Sequence, residues 1–270
     1  MMLAVGLLLP RLLTGAAPSD AVQLSVPRVD YRTNEAGATR APWIDANGWR
    51  ITRRPGQTFL YRVSGETAAL AAGEAFTYGA DALIATDESG RVSFHRMLEF
   101  LRAIPSADLT GVADVGVVDD GSAATGELMN LLTRQNLLYK VEKAPDNNIR
   151  LNVQLGSAQY PLQEASDPHL LARKIRAQVG DENRSLRIYG SEVVIARLVR
   201  NDGQTRIYLL NYSNRAVRGL RVHVRGQYAR GEPHVFAVAD PHLEDWSRDR
   251  DAIEFTVPEL NTLAVIDLFP

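Results

Sequence analysis

The sequence predicts an α/β layered sheet region followed by an all-β, sandwich-like C-terminal domain. Two observations carry that class. Between residues 42 and 183, short apolar runs alternate with stretches whose apolar residues recur every three or four positions. From residue 184 onward the helical period disappears, and seven short apolar or alternating runs follow one another with turn residues between them. The expected organisation is a signal peptide over 1–21, a linker over 22–41, an α/β domain over 42–183 and a β-sandwich over 184–270.

The elements follow in order. Residues 1–14 are apolar but too short to span a bilayer, which takes about 20 residues. They fit a signal-peptide core, with small residues Gly15-Ala16-Ala17 or Ser19-Asp20-Ala21 as cleavage sites, and so predict an exported protein. No Lys or Arg precedes the run and Pro10-Arg11 interrupts it, so a start codon inside a longer frame and a buried strand are the alternatives. Residues 22–41 are polar and read as an extended lead-in. Residues 49–52 and 58–63 read as strands around the turn Arg54-Pro55-Gly56. Residues 66–78 form an alanine-rich helix, with Ser64 as its cap and Gly79 ending it. A strand at 81–86 leads to a helix with Phe94, Met97, Leu98, Leu101 and Ile104 on one face, stopped by Pro105.

Residues 114–119 read as a strand, and 123–135 as a helix burying Leu128, Leu131 and Leu132. Strands follow at 137–142 and 150–155. Asp167 caps a helix that opens on Pro168, lines its inner face with Leu171, Ile175 and Val179, and ends at Gly180. The seven β runs lie at 186–189, 193–200, 205–212, 220–225, 234–238, 253–257 and 263–268. Asn201-Asp202-Gly203 is a hairpin turn.

Composition excludes whole classes of chemistry. The 270 residues include no cysteine, so disulfides, thiolate metal sites and cysteine nucleophiles are ruled out. The net charge of −2 gives no bulk attraction for nucleic acid or anionic membrane. The five histidines have no metal-binding spacing, no serine sits in a G-x-S-x-G elbow, and neither metal nor cofactor is expected.

The most site-like stretch is Asp119 to Glu127, between a strand and a helix. Free backbone N–H groups of Asp120, Gly121, Ser122, Thr125 and Gly126, and the hydroxyls of Ser122 and Thr125, present donors there. The loop is similar to the phosphate loop of flavodoxins and makes a phosphate- or nucleotide-binding α/β protein one reading. The favoured reading is a capped turn: a glycine for positive φ, Ser122 as N-cap and Glu127 against the helix dipole. Asp87 and Asp119 follow strands at the end where α/β folds bind ligands, and are the catalytic candidates. Asp45, Asp81 and Asp120 are further acids near strand ends. A glycosidase needs two carboxylates about 5–10 Å apart, and caps and turns account for most of these acids.

Residues 203–231 hold six arginines and no acid. Arg221, His223 and Arg225 alternate outward along one strand, a basic strip for an acidic polysaccharide. The favoured reading pairs these arginines with the acids between Glu232 and Asp251. Trp43, Trp49 and Trp246 are either sugar platforms or core residues, with packing favoured for at least two.

The run Glu74-Ala75-Phe76-Thr77-Tyr78-Gly79-Ala80-Asp81 looks like the last helix-to-strand step of a catalytic barrel. Residues 112–142 look like the start of an amidotransferase-like α/β domain. Leu209-Leu210-Asn211-Tyr212 and Asn261-Thr262-Leu263-Ala264-Val265-Ile266 look like a terminal β domain. In that order the parts resemble the downstream region of glycoside hydrolases such as the family-42 β-galactosidases. The likeness spans about 41–268, but most of the barrel and the glutaminase cysteine are missing, so no catalytic residue carries over. The resemblance implies an exported, carbohydrate-associated protein with a scaffolding, assembly or sugar-binding role. A reduced or fragmentary glycoside hydrolase, completed in a homo-oligomer, is the alternative.

Overall fold

The computed structural model describes residues 12–13, 19–33 and 40–270. The cleavage site at Gly15-Ala16-Ala17 and most of the N-terminal apolar run lie outside them. Strand β1 (Leu12–Leu13) is described, and it pairs in parallel with residues 82 and 83. The lead-in holds more pairing than its polarity suggested. Strand β2 (Val22–Gln23) joins a sheet, and β3 (Arg28–Thr33) forms an antiparallel ladder with β4 (Arg40–Asp45).

Helix α1 (Gly48–Arg53) corrects the strand expected at 49–52. Trp-Arg-Ile-Thr alternates like a strand, but Ile51 turns into the core and Thr52 Oγ1 donates to the Gly48 carbonyl, one helical turn back. Next come β5 (Thr58–Arg62), α2 (Thr67–Thr77), β6 (Asp81–Ala85) and α3 (Glu88–Ala103). Helix α2 begins without the expected Ser64 side-chain cap; the Ser64 carbonyl accepts from Thr67 N instead. Strands β1, β6, β5 and β2 form one parallel sheet in that order among the described residues.

The single layered sheet expected over 42–183 is two sheets. After α3 the chain detours through β7 (Thr110–Gly111), which pairs with the C-terminal β region rather than with β6. Strands β8 (Val115–Val118), β9 (Tyr139–Glu142) and β10 (Leu151–Val153) then build a separate parallel sheet in the order β10-β8-β9. Helices α4 (Ala123–Arg134) and α5 (Pro168–Val179) pack on it through Leu128, Leu131, Leu132, Leu171 and Ile175.

The rest is antiparallel. Strands β11 (Leu186–Tyr189), β12 (Val194–Arg200), β13 (Thr205–Asn211), β14 (Val217–Arg225), β15 (Arg230–Val235), β16 (Glu244–Arg248), β17 (Ala252–Leu260) and β18 (Leu263–Phe269) form two sheets, β11-β14-β17-β16 and β15-β18-β13-β12-β7. Their facing residues, among them Ile207, Leu209, Val222 and Phe255, share one core.

Strand β13 is buried along its whole length because both of its faces are covered. Ile207 and Leu209 face the core between the two antiparallel sheets, while Tyr208 and Leu210 face α2 and the first parallel sheet. Helix α2 is accordingly small and buried on nearly every side; a Cβ at Gly73 would sit 3.5 Å from Leu210 and Leu263. Alanine and glycine let this helix approach the sheet closely, which a Leu-faced helix could not do.

Candidate functional site

Each acid singled out in the sequence has a local partner. Asp87 is the N-cap of α3, accepting from Gly90 N at 2.7 Å and Gly65 N at 3.2 Å. Those backbone donors hold its carboxyl below the usual range. Asp119 forms a bidentate pair with Arg53, at 2.8 Å from Nε and 2.7 Å from Nη2. The Arg53 hydrogen bonds lower its pKa more than burial raises it. Asp120 accepts from Ser122 N and from the buried Thr125 hydroxyl, and Ser122 Oγ caps α4 through Thr125 N.

The loop thus spends its polar groups on itself and on α1. Gly121 takes φ +79, and Gly126 lets the helix approach Trp49 and Arg53, whose atoms lie 3.0 and 2.7 Å from where a Cβ would stand. Asp87 ends the first parallel sheet's β6 and Asp119 ends β8 of the second, so the two catalytic candidates belong to different layers. Asp45 accepts from Ser25 Oγ at 2.9 Å. Asp81 opens β6.

The basic strip is on the outer face, with its charges matched. Arg221 lies 2.7 Å from Glu254 and Arg225 lies 3.3 Å from Asp251. Arg187 Nε donates to His223 Nδ1 at 3.3 Å, and burial, then Arg187, lowers the pKa of His223. Trp246 stacks on Phe255, Trp49 packs at Gly126, and Trp43 lies under the Arg134 guanidinium. Among the described residues no group of three or more His, Asp or Glu could hold a metal ion, and no helix is long and apolar enough to cross a membrane.

Two arrangements were not foreseen. The first is a buried carboxylate. Glu74, on α2, is fully buried and accepts four hydrogen bonds: Asn47 N at 2.7 Å, Asn47 Nδ2 at 3.0 Å, Tyr61 Oη at 2.8 Å and Tyr212 Oη at 2.5 Å. Burial raises its pKa and the four donors pull it back. No solvent reaches it, so its work is structural. A glutamate inside an otherwise alanine-rich apolar helix was the available signal.

The second is an open groove of about 510 Å³ between the β3–β4 ladder, the start of α2 and the β13–β14 turn. Tyr31, 57% exposed as a residue, lines it beside Glu66, Asn214 and Arg215. Among the described residues, the side chains of Glu66, Asn214 and Arg215 have no hydrogen bond or ion pair. An exposed aromatic face beside unused donors and acceptors is the chemistry that holds a polar ring. Five of the cavities formed by the described residues carry at most one carboxylate each: Glu66 in this groove, Asp181 in another, Asp202 in two and none in the fifth.

No family model matches the sequence, and no curated protein matches it. Among solved structures the fold is similar to α-L-fucosidase isoenzyme 2 from Paenibacillus thiaminolyticus, with a TM-score of 0.55 at 9% identity. That match covers 79% of this chain and 61% of the fucosidase, so the chain spans about six-tenths of that protein's length. An α-amylase from H. orenii matches 82% of this chain and 55% of its own at 12% identity, with a TM-score of 0.21, too low to carry a statement about fold. The fold is thus similar to that of this fucosidase, and the described strands close no barrel.

Proposed function

We propose that this is an exported, carbohydrate-associated protein that binds sugar without hydrolysing it, in a scaffolding or assembly role. The family of origin is one resembling the family-42 β-galactosidases. The observation that carries the reading is the combination of a fold similar to a fucosidase's with five cavities that each hold at most one carboxylate. Glycoside cleavage needs an acid and a second carboxylate facing each other across the sugar. The binding site in this proposal is the Tyr31 groove, where the ring stacks on a sugar face and Asn214, Arg215 and Glu66 take its hydroxyls.

The test is titration of the purified protein with neutral oligosaccharides, alongside Tyr31→Ala. Binding that weakens at least tenfold in the variant, with an unchanged melting temperature, supports the groove. Turnover of aryl-glycosides by the wild-type protein, lost in Asp87→Asn or Asp119→Asn, would replace the reading with a reduced hydrolase. That second reading draws on the shorter span of the match relative to the fucosidase. In it, another segment or chain completes the site.

A further inference from the structure

A different cavity, of about 230 Å³, lies where the first parallel sheet, the second and the antiparallel region meet. Its walls include Tyr78, Gly111, Ala113, Tyr139 and Arg197. Arg197 is on β12 and reaches away from the core between the antiparallel sheets toward the end of α2. There it donates through Nη1 to the Thr77 carbonyl, at the negative end of the α2 dipole. The Tyr78 ring covers it, with 5.2 Å from the guanidinium carbon to the ring centroid.

A guanidinium has five N–H donors, and the structure gives this one a single protein acceptor. No carboxylate among the described residues lies within ion-pair distance of it, and no Asp or Glu lines the cavity. The two buried arginines differ: Arg184 meets Asp181 and two backbone carbonyls, and Arg206 meets Asp267 through two bonds. Arg197 is half-buried, and a cation partly withdrawn from water gains from an anion that answers it. Burial pushes the Arg197 guanidinium below its ordinary value, against the effect of Tyr78, Tyr208 and Tyr139. It nonetheless remains charged at neutral pH.

We propose that this cavity is an anion-binding site, in which Arg197 holds a small oxyanion or a carboxylate. The volume suits a sulfate, a phosphate or the acid end of a sugar acid. The proposal does not rest on the Tyr31 groove or on the carbohydrate reading. An anion there would tie the end of α2 to β12 and to β7, so its binding registers as stability.

The experiment is thermal unfolding of the full chain at fixed ionic strength, with sulfate, phosphate, glucuronate or neutral glucose, and sodium chloride as the control. A bound anion at ten times its Kd raises Tm by about 3–6 °C. A rise with sulfate and phosphate alone identifies a free oxyanion site; a rise with glucuronate but not glucose identifies a carboxylate-bearing sugar. Arg197→Gln should weaken the response at least tenfold in ligand concentration. Gly111→Asp is the second variant, because a Cβ at position 111 would lie 3.9 Å from Arg197 Nη2 with nothing else within 4 Å. It supplies the missing carboxylate from within, and should raise Tm without ligand and abolish the response to it. If Arg197→Gln does not fold, Gly111→Asp decides alone. Absence of any anion-specific rise in the wild-type protein, or a full response retained in either variant, overturns the proposal.

Discussion

Tyr212 donates its phenolic proton to Glu74 across 2.5 Å, joining residues 138 positions apart and fastening the end of β13 to the middle of α2. Both groups are buried, and Glu74 has no contact with water to replace what it would lose. Tyr212→Phe therefore leaves one carboxylate oxygen with only Asn47 N, and is expected to cost about 1–3 kcal/mol. Glu74→Gln turns an amide donor toward a cluster of donors and removes the charge they converge on. Its cost should be larger, because the two donors on the replaced oxygen both lose their acceptor, each loss worth about 1–3 kcal/mol. Urea unfolding checks the order, with the midpoint falling and the slope unchanged.

The same carboxylate and Asp119 predict opposite pH dependences. Burial sets the folded Glu74 pKa above its ordinary 4.5. Between the unfolded and folded values the native state binds more protons, so the Glu74 contribution is fully present below 4.5 and is lost as pH rises through the folded value. Asp119 is held below its ordinary 3.8, chiefly by Arg53. Its contribution is present above 3.8 and lost as pH falls through the folded value. Unfolding free energy measured from pH 2 to 8 should lose part of its acid limb in Asp119→Asn. In Glu74→Gln the decline above 4.5 should flatten. An Asp119→Asn profile parallel to wild type would refute the first half.

What could be seen in the sequence is what local chemistry decides. The caps Ser122 and Asp167 and the apolar stripes of α3, α4 and α5 are where spacing put them, while Asp87, read as a catalytic candidate, caps α3. So is the turn at Asn201, whose Oδ1 accepts from Gly203 N and Gln204 N. Short elements escaped. Six residues of α1 are too few to show a helical period, and β16 is polar apart from Trp246 and pairs through an irregular register. The interior sites escaped for another reason. Glu74 draws its donors from Asn47, Tyr61 and Tyr212, and Arg197 meets Thr77 from 120 residues away, distances over which no spacing rule operates. The arginine-rich stretch divided. Arg225 and Arg230 meet Asp251 and Glu232, inside the acidic segment proposed for them, whereas Arg221 and Arg206 pair with Glu254 and Asp267 beyond it.

Arg206 and Asp267 make the interior ion pair of the antiparallel region, with bonds of 2.7 and 2.8 Å and side chains 4% and 2% exposed. Arg206 Nη2 also donates to the Pro105 carbonyl, just beyond α3. Removing either partner strands the other, so Arg206→Met and Asp267→Leu should each cost about 3–5 kcal/mol. The double variant Arg206→Met/Asp267→Leu replaces both charges with apolar volume and should recover most of that loss. A double-mutant cycle measures the coupling, and additive single effects would contradict it.

Gly48 and Tyr78 supply a test of the joint beside Arg197. The Tyr78 ring lies where a Cβ on Gly48 would stand, only 2.0 Å from the nearest ring carbon. Gly48 is itself buried at the start of α1, so the helix cannot simply move outward. Gly48→Ala must push the ring toward Arg197, and overpacking of this kind costs about 1–3 kcal/mol. Shortening the obstructing side chain should relieve it: Gly48→Ala/Tyr78→Val is expected to be more stable than the sum of the two single changes predicts. The non-additivity is the informative quantity, because Tyr78→Val alone also uncovers the Arg197 guanidinium. A Gly48→Ala protein as stable as wild type would mean that this contact does not fix the ring.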